Sequence, residues 1–192
     1  MPEAAFAERV AVVGISGAGK STFARRLSEL GYAHLELDRL RHQAGWRQAP
    51  DDEVDAHIDE FAAAASRWVI DGTYAMHRAR IWPAADCSGW RDLPRALTTA
   101  SCAWRSLRRV VTREELWNGN REDARNLLSL DPETSVVAWS FVKHAHYRAE
   151  FGRLQKDPRW GHLRWHHVRR RRAVHGLLAE AHARGALPLP PA

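Results

Sequence analysis

Residues 14–21 read Gly-Ile-Ser-Gly-Ala-Gly-Lys-Ser, which fits the spacing G-x-x-x-x-G-K-[S/T]. A short β-branched run, Arg9–Val13, precedes this stretch and predicts a buried parallel strand. After it, Phe23 and Leu27 follow helical spacing, and Gly31 supplies a helix stop. The stretch therefore predicts a strand, a glycine-rich loop and a helix in direct succession.

A loop of this composition is suited to hold phosphate. Its glycines let the backbone bend, so that successive N–H groups and the positive end of the helix point at one anion. We expect Lys20 to reach the β- and γ-phosphates of a nucleotide and the Ser21 hydroxyl to bind Mg²⁺. An ordinary glycine turn is the alternative, which the strand and helix on either side disfavour. The predicted nucleotide-binding residues are Gly14, Ser16, Gly17, Ala18, Gly19, Lys20, Ser21 and Thr22.

The rest of the chain alternates predicted strands with predicted helices. Strands are expected at residues 33–37 and 68–70, and each is followed by an acid, Asp38 or Asp71. Residues 50–65 carry apolar side chains at helical spacing. This βαβαβ pattern predicts an α/β fold with three layers around a parallel sheet. Later elements are expected as strands near residues 86–91 and 163–168 and as helices from Pro94, at 135–154 and at 173–183.

The composition is that of one compact domain. With 192 residues, 45% of them hydrophobic, the chain is long enough to bury a core. We expect a single domain over residues 1–185 and a proline-rich tail over 186–192. No secretory signal is visible and no apolar run approaches the roughly 20 residues of a membrane helix, so we expect a cytoplasmic protein without membrane contact. Cys87 and Cys102 form no disulfide framework and are expected to be small buried side chains.

The charge predicts an anionic partner. Formal net charge is +6, and the sequence pI is about 10.0. Arginines concentrate at residues 105–125 and 164–172. A nucleotide polyphosphate satisfies this preference, and nucleic acid would satisfy it too.

The chain lacks sequence motifs that are typical of two classes of P-loop enzyme, the GTPases and the dedicated ATPases. A guanine-specific GTPase should show N-K-x-D, and residues 118–120 read Asn-Gly-Asn instead. A dedicated ATPase usually has a strand ending in Asp-Glu, whereas Asp71 is followed by Gly72. A second substrate is therefore the better nucleophile, which predicts an ATP-dependent kinase acting on a small-molecule acceptor, a nucleotide included.

Three further residues are candidates for the acceptor side. Asp38 and Asp71 should lie at the carboxyl edge of the sheet, where ligands of open α/β sheets bind. Either could orient or deprotonate an acceptor hydroxyl or hold a Mg²⁺ water, although both could also be caps of the next turn. Trp46, in the loop after Asp38, is expected to face the acceptor.

A mobile helical lid is expected over residues 112–126, which are too polar to form core. Arg113 and Arg121 are predicted to bind the transferred phosphoryl group, and Arg105 is expected on a solvated helix face. One arginine of residues 169–172 could stack on the base, with RNA binding as the competing interpretation. The predicted catalytic residues are Lys20, Asp71, Arg113 and Arg121.

Several stretches resemble a bacterial family of adenylate kinase-related P-loop proteins often labelled DNA topology modulation protein. They are residues 12–21, 34–38 (HLELD), 68–74 (WVIDGTY), 90–94 (WRDLP) and 112–122 (TREELWNGNRE). The resemblance implies a nucleoside monophosphate kinase-like fold with a five-stranded parallel sheet, a lid and ATP as donor. In two places the chain departs from the family: Thr73 stands where Asn is common, and Ser88, Gly89 and Arg91 interrupt a usually apolar strand. A nucleotide-gated nucleic-acid-binding protein and a slow ATPase stay open as alternatives.

Overall fold

The computed structural model describes residues 7–184, so the predicted tail at residues 186–192 lies outside the described part of the chain. Within that part, five strands alternate with helices. The strands are β1 (Arg9–Val13), β2 (Ala33–Glu36), β3 (Trp68–Asp71), β4 (Cys87–Arg91) and β5 (Arg164–Val168). The helices are α1 (Lys20–Glu29), α2 (Leu37–Arg41), α3 (Asp51–Ala64), α4 (Arg78–Ala84), α5 (Arg95–Thr112), α6 (Ala124–Leu128), α7 (Val136–Leu154) and α8 (Ala173–Arg184).

The strands form one parallel sheet in the order β2-β3-β1-β4-β5. β1 lies in the centre, between β3 and β4, so the loop after Val13 leaves the sheet at the middle of its carboxyl edge. Strand order reverses at this point, where open α/β sheets form a crevice. The predicted five-stranded parallel α/β fold is confirmed.

Side chains of β1 alternate between two apolar cores, one on each face of the sheet. Val10 and Val12 pack with α1 and α8. Ala11 and Val13 pack with α3, α4 and the end of α7. This alternation follows from the two-residue repeat of a strand, and it confirms the three layers predicted from the sequence.

β4 is a central strand and is fully buried, although its sequence is unusual for that position. A Cβ atom at Gly89 would lie 3.4 Å from Phe23 Cε1, so the missing side chain lets α1 pack closely. Arg91 is the last residue of the strand, and its Nε donates to the Ala18 carbonyl at 3.2 Å. Gly89 and Arg91, two of the three residues that interrupt the apolar pattern, therefore serve helix packing and the glycine-rich loop.

Asp38 does not lie at a strand end, contrary to the prediction. β2 ends at Glu36, and Leu37 begins α2. Leu37 is buried against Gly72, where a Cβ atom would approach its Cδ1 to 2.7 Å. The register pairs Glu36 with Asp71. Glu36 therefore occupies the strand end that the sequence interpretation gave to Asp38.

The structure also corrects the helical lid expected at residues 112–126. α5 ends at Thr112, and Arg113 takes the left-handed backbone conformation with φ 51°. A 3₁₀ turn at Trp117–Gly119 follows, and Asn118 in this turn has φ 57°. Helical hydrogen bonding cannot continue through such residues. The segment is a folded loop between α5 and α6.

Cys87 and Cys102 are buried and free, as predicted. In the part of the chain that the structure describes, no helix combines the length and the apolar character needed to cross a bilayer.

Candidate active site

The glycine-rich loop after β1 depends on left-handed backbone and on close packing. Gly17 has φ 80° and Gly19 has φ 83°, values that favour glycine. A Cβ atom at Gly17 would lie 2.0 Å from the Thr98 carbonyl oxygen, so α5 packs directly on the loop. α1 begins at Lys20 without a side-chain cap, which makes its first N–H groups available to an anion. The arrangement has the shape of a phosphate cradle.

Three side chains from distant elements hold this loop through four hydrogen bonds. The Thr73 hydroxyl donates to the Gly14 carbonyl at 2.7 Å and accepts from the Gly14 N–H at 3.3 Å. Ser140 on α7 donates to the Ser16 carbonyl at 2.9 Å. Arg91 supplies the third contact, and burial lowers its pKa to about 10. The sequence interpretation missed all of these anchors, because none has a local motif.

Lys20 lies beneath the cradle. Its Nζ donates to the Ile15 carbonyl at 3.3 Å. Burial lowers the pKa of Lys20, while the charges of Asp38 and Asp71 oppose that shift and Arg105 adds to it. A polyphosphate in the cradle would stabilise the ammonium form. A phosphate-binding role for Lys20 stays a prediction, with which its position beside the loop is compatible.

The Ser21 hydroxyl lies between two carboxylates. It donates to Asp71 Oδ2 at 2.6 Å, and Glu36 Oε1 lies 3.1 Å from the same oxygen. The other carboxylate oxygen of Asp71, Oδ1, is 2.7 Å from His34 Nε2. Hard oxygen donors of this kind suit Mg²⁺, so Ser21 and Asp71 fit the predicted cation site. His34 and Glu36 were not singled out, although the two-residue repeat of β2 places both on one face.

A second group of polar side chains lies beside α2. Tyr74 Oη donates to Asp38 Oδ1 at 2.7 Å and lies 3.4 Å from His42 Nε2. Burial and the neighbouring Asp38 raise the pKa of Tyr74, which keeps its hydroxyl protonated. Burial lowers the pKa of His42 despite Asp38 nearby. Asp38 is thus held by a neutral donor and keeps lone pairs for a second hydroxyl.

Two turns meet above this group and form what we call the clasp, residues 44–46 and 117–120. The Trp46 N–H donates to Asn120 Oδ1 at 2.9 Å, and Trp46 Nε1 donates to the Arg121 carbonyl at 3.2 Å. Asn118 Nδ2 donates to the His42 carbonyl at 2.7 Å. His42 also lies between the rings of Trp46 and Trp117, at centroid distances of 5.4 and 5.7 Å. The clasp ties the predicted lid to the predicted acceptor side.

The arginines are distributed differently from the prediction. Arg105 and Arg109 on α5 line the cavity around the loop, whereas Arg113 and Arg121 do not. Arg105 is half-buried, and among residues 7–184 its Nε has no hydrogen-bond partner. Arg109 Nη1 donates to Glu122 at 2.9 Å. A phosphate role for Arg113 and Arg121 stays a prediction, and it requires the segment to move.

The cavity joins the nucleotide loop to the acceptor side. Its volume is about 1030 Å³, large enough for a nucleotide and a small second substrate. Ala18 is buried behind the loop, and Asp71 reaches the cavity through Ser21. The predicted site residues that line it are Gly14, Ser16, Gly17, Gly19, Lys20, Ser21, Thr22, Asp38 and Trp46.

Comparisons with known proteins identify the family of the chain. No curated protein matches the chain significantly. A gluconokinase from Sinorhizobium meliloti 1021 is 20% identical, with a TM-score of 0.48 over 95% of this chain and 94% of that one. A sugar kinase from Janibacter sp. HTCC2649 is 17% identical, with a TM-score of 0.37 over 74% and 94%. Residues 10–126, more than half of the chain and the part that carries the glycine-rich loop, match the family described as AAA domain. The chain therefore belongs to the AAA-domain family of P-loop proteins.

Proposed function

We propose that the protein is an ATP-dependent kinase that transfers the γ-phosphoryl group to a hydroxyl of a small molecule. One observation carries the proposal: Lys20 and Ser21 open into the same cavity as Asp38, which a protonated Tyr74 holds in place. Phosphoryl transfer needs a phosphate cradle and an oriented acceptor side by side. A site for hydrolysis alone would not need the second half.

The donor side would act through charge and position. Loop N–H groups and Lys20 bind the phosphates, and Ser21 with Asp71 hold Mg²⁺. When bound, Mg²⁺ neutralises charge on the β- and γ-phosphate oxygens. Arg105 is the arginine that we assign to the transferred group, because it lowers the pKa of Lys20 through space and lines the same cavity.

The acceptor side would act through Asp38. An acceptor hydroxyl donates its hydrogen bond to this carboxylate, and its oxygen attacks the γ-phosphorus. The bond from phosphorus to the bridging oxygen breaks, ADP leaves, and the hydroxyl proton passes to Asp38. Tyr74 keeps the carboxylate in one orientation during this step.

A phosphoryl-transfer screen tests the proposal. Labelled ATP is offered with nucleoside monophosphates, sugars and other hydroxylated metabolites, and labelled product is separated from inorganic phosphate. We expect label on at least one acceptor, lost in Lys20→Ala. With that acceptor, Asp38→Asn should lower kcat by roughly a hundredfold. Release of inorganic phosphate alone, at the same rate with every acceptor, would instead support the slow ATPase.

Nucleic-acid binding is the second candidate, and one observation favours it. The four arginines at positions 169–172 are all exposed, and none lines the cavity. Binding of a labelled oligonucleotide should then fall steeply as salt rises, whereas transfer to the correct acceptor should fall much less. A cytoplasmic location stays a prediction from the sequence.

A further inference from the structure

We propose that Glu36 is the second carboxylate of the Mg²⁺ site and that Trp117 positions it. The inference rests on the proposed function in one respect, that the loop after β1 binds ATP with Mg²⁺. It assigns a metal-site role to a residue outside the sequence motif and connects that site to the clasp.

The register of the sheet places Glu36 beside Asp71. β2 and β3 pair in parallel so that Glu36 lies opposite Asp71, and both are the last residues of their strands. Both carboxylates therefore reach the same point at the carboxyl edge. Ser21, in the first turn of α1, projects its hydroxyl between them.

The Ser21 hydroxyl has a single proton to donate. Ser21 Oγ lies 2.6 Å from Asp71 Oδ2 and 3.1 Å from Glu36 Oε1, but it can donate to only one of them. The other carboxylate then faces a serine oxygen and a second negative group. Like charges this close destabilise each other unless a cation lies among them. A divalent ion coordinated by Ser21 would remove that repulsion.

The ligands available around Ser21 indicate which kind of cation fits there. In the described residues, no group of three or more His, Cys, Asp or Glu side chains is arranged to hold a metal by itself. The ion at Ser21 would therefore take most of its ligands from water and phosphate oxygens, as Mg²⁺ does at phosphate sites. Glu36 suits such an ion as the acceptor of a metal-bound water.

Trp117 orients the carboxylate of Glu36. Trp117 Nε1 donates to Glu36 Oε2 at 2.9 Å, which leaves Oε1 directed at Ser21. Asn118, the next residue, donates to the carbonyls of Arg39 and His42 and so fixes this turn on α2. Partners that orient a ligand in this way normally affect metal affinity. The position of the clasp therefore sets the geometry of the cation site.

Manganese binding tests the role of Glu36 without relying on turnover. Mn²⁺ is titrated into the full chain saturated with a non-hydrolysable ATP analogue, and free Mn²⁺ is measured by electron paramagnetic resonance. We expect Glu36→Gln to raise the Mn²⁺ Kd about tenfold or more. Glu115→Gln is the matched control, because it removes the same charge from an exposed position on the cavity wall. It should change the Kd less than about twofold.

The analogue should bind Glu36→Gln at least as tightly as wild type when EDTA removes all metal, because a carboxylate near the phosphates has been removed. Weak binding there would mean a damaged cradle and would overturn the inference. An unchanged Mn²⁺ Kd in Glu36→Gln would also overturn it. Tenfold weaker Mn²⁺ binding with no transfer to any acceptor would uphold Glu36 and reject the kinase activity.

Trp117→Phe tests the positioning step, since it keeps an aromatic ring and removes the indole donor. We expect a smaller rise in the Mn²⁺ Kd, of about threefold. In the double variant with Glu36→Gln the two effects should not add, because they act through one carboxylate. Additive effects would reject the role of Trp117. If Glu36→Gln does not fold, Glu36→Asp, which retracts the carboxylate by one methylene, should weaken Mn²⁺ binding in the same assay.

Discussion

Thr73 connects β3 to the phosphate loop through one hydroxyl group. It donates to the Gly14 carbonyl and accepts from the Gly14 N–H, which fixes the first glycine of the loop. Thr73→Val keeps the shape of the side chain and loses both contacts. We expect it to lower the free energy of unfolding by about 1 kcal/mol or more and to weaken ATP binding severalfold. Denaturant titration and calorimetry measure these two effects.

Thr73→Ser is the control for this prediction, because it retains the hydroxyl. Its ATP affinity should stay close to that of wild type. Equal losses in the serine and valine variants would mean that the methyl group, not the hydrogen bonding, matters at this position.

The ammonium group of Lys20 is the part of the proposed site that bears most directly on ATP binding. A ligand that binds only the folded state must raise the melting temperature. We therefore expect ATP with Mg²⁺ to raise the Tm of the wild type and to have little effect on Lys20→Ala, since the ammonium that contacts the phosphates is gone. Differential scanning calorimetry with and without ATP provides the measurement. An undiminished shift in the variant would remove the basis of the phosphate site.

Site residues differ in how far the sequence reveals them. Lys20 and Ser21 belong to a motif whose spacing is local, so pattern alone identifies them. Glu36 and Arg91 act on the same loop from β2 and β4, and their contacts depend on strand order and register. Their roles follow only from the three-dimensional arrangement.

Secondary-structure elements show the same division. Helix α3 and strands β1 and β3 follow from apolar spacing, because each buries apolar side chains in the core. Helix α5 differs, because it buries Thr98, Cys102 and Ser106. Its large apolar side chains Trp104, Leu107 and Val111 are exposed. α2 has only five residues, too few for a periodic pattern to emerge. It forms because buried Leu37 packs on Gly72, a contact between distant residues. That short helix moved Asp38 away from the strand end where we expected it.

The amide of Asn120 holds the two turns of the clasp together. Asn120 is buried, and its amide donates to the carbonyls of Gln43 and Trp117, each at 2.9 Å, and accepts from the Trp46 N–H. Asn120→Ala removes these three part-buried hydrogen bonds. We expect faster amide hydrogen exchange at residues 44–46 and 117–119, together with a severalfold higher KM for the acceptor.

Asn126 offers a comparison for this variant, since it is an exposed asparagine on the wall of the same cavity. Asn126→Ala should leave the exchange rates of both turns unchanged. If Asn120→Ala exchanged no faster than Asn126→Ala, the clasp would not be held by this amide, and its coupling to the acceptor side would have no support.

The candidate site is assembled where the order of the strands in the sheet reverses. β1 delivers the phosphate loop, β2 and β3 deliver the carboxylates of Glu36 and Asp71, and α5 packs on the loop at Gly17. The fold class and the place of the site are therefore predictable from the alternation of strands and helices. The position of residues 113–123 is not predictable from that alternation, because it depends on side-chain hydrogen bonds to β2, to α2 and to the turn after it.

The position of residues 113–123 favours Arg105 as the arginine that would bind the transferred phosphoryl group in the proposed reaction. Arg105 lines the cavity and its Nε has no hydrogen-bond partner among the described residues, whereas Arg113 and Arg121 are exposed and outside the cavity wall. We expect Arg105→Ala to lower kcat by roughly 10²–10³ with little change in ATP affinity, since charge on the transferring group is greatest in the transition state. Arg105→Lys should restore only part of the rate, because lysine keeps the positive charge but lacks the bidentate fork.

Arg113→Ala and Arg121→Ala complete the series and are measured by steady-state kinetics and ATP titration. We expect both variants to keep kcat within about threefold of wild type. Large kcat losses in these two variants, with Arg105→Ala unaffected, would mean that residues 113–123 swing onto the phosphates during turnover and that the sequence-based assignment is the correct one.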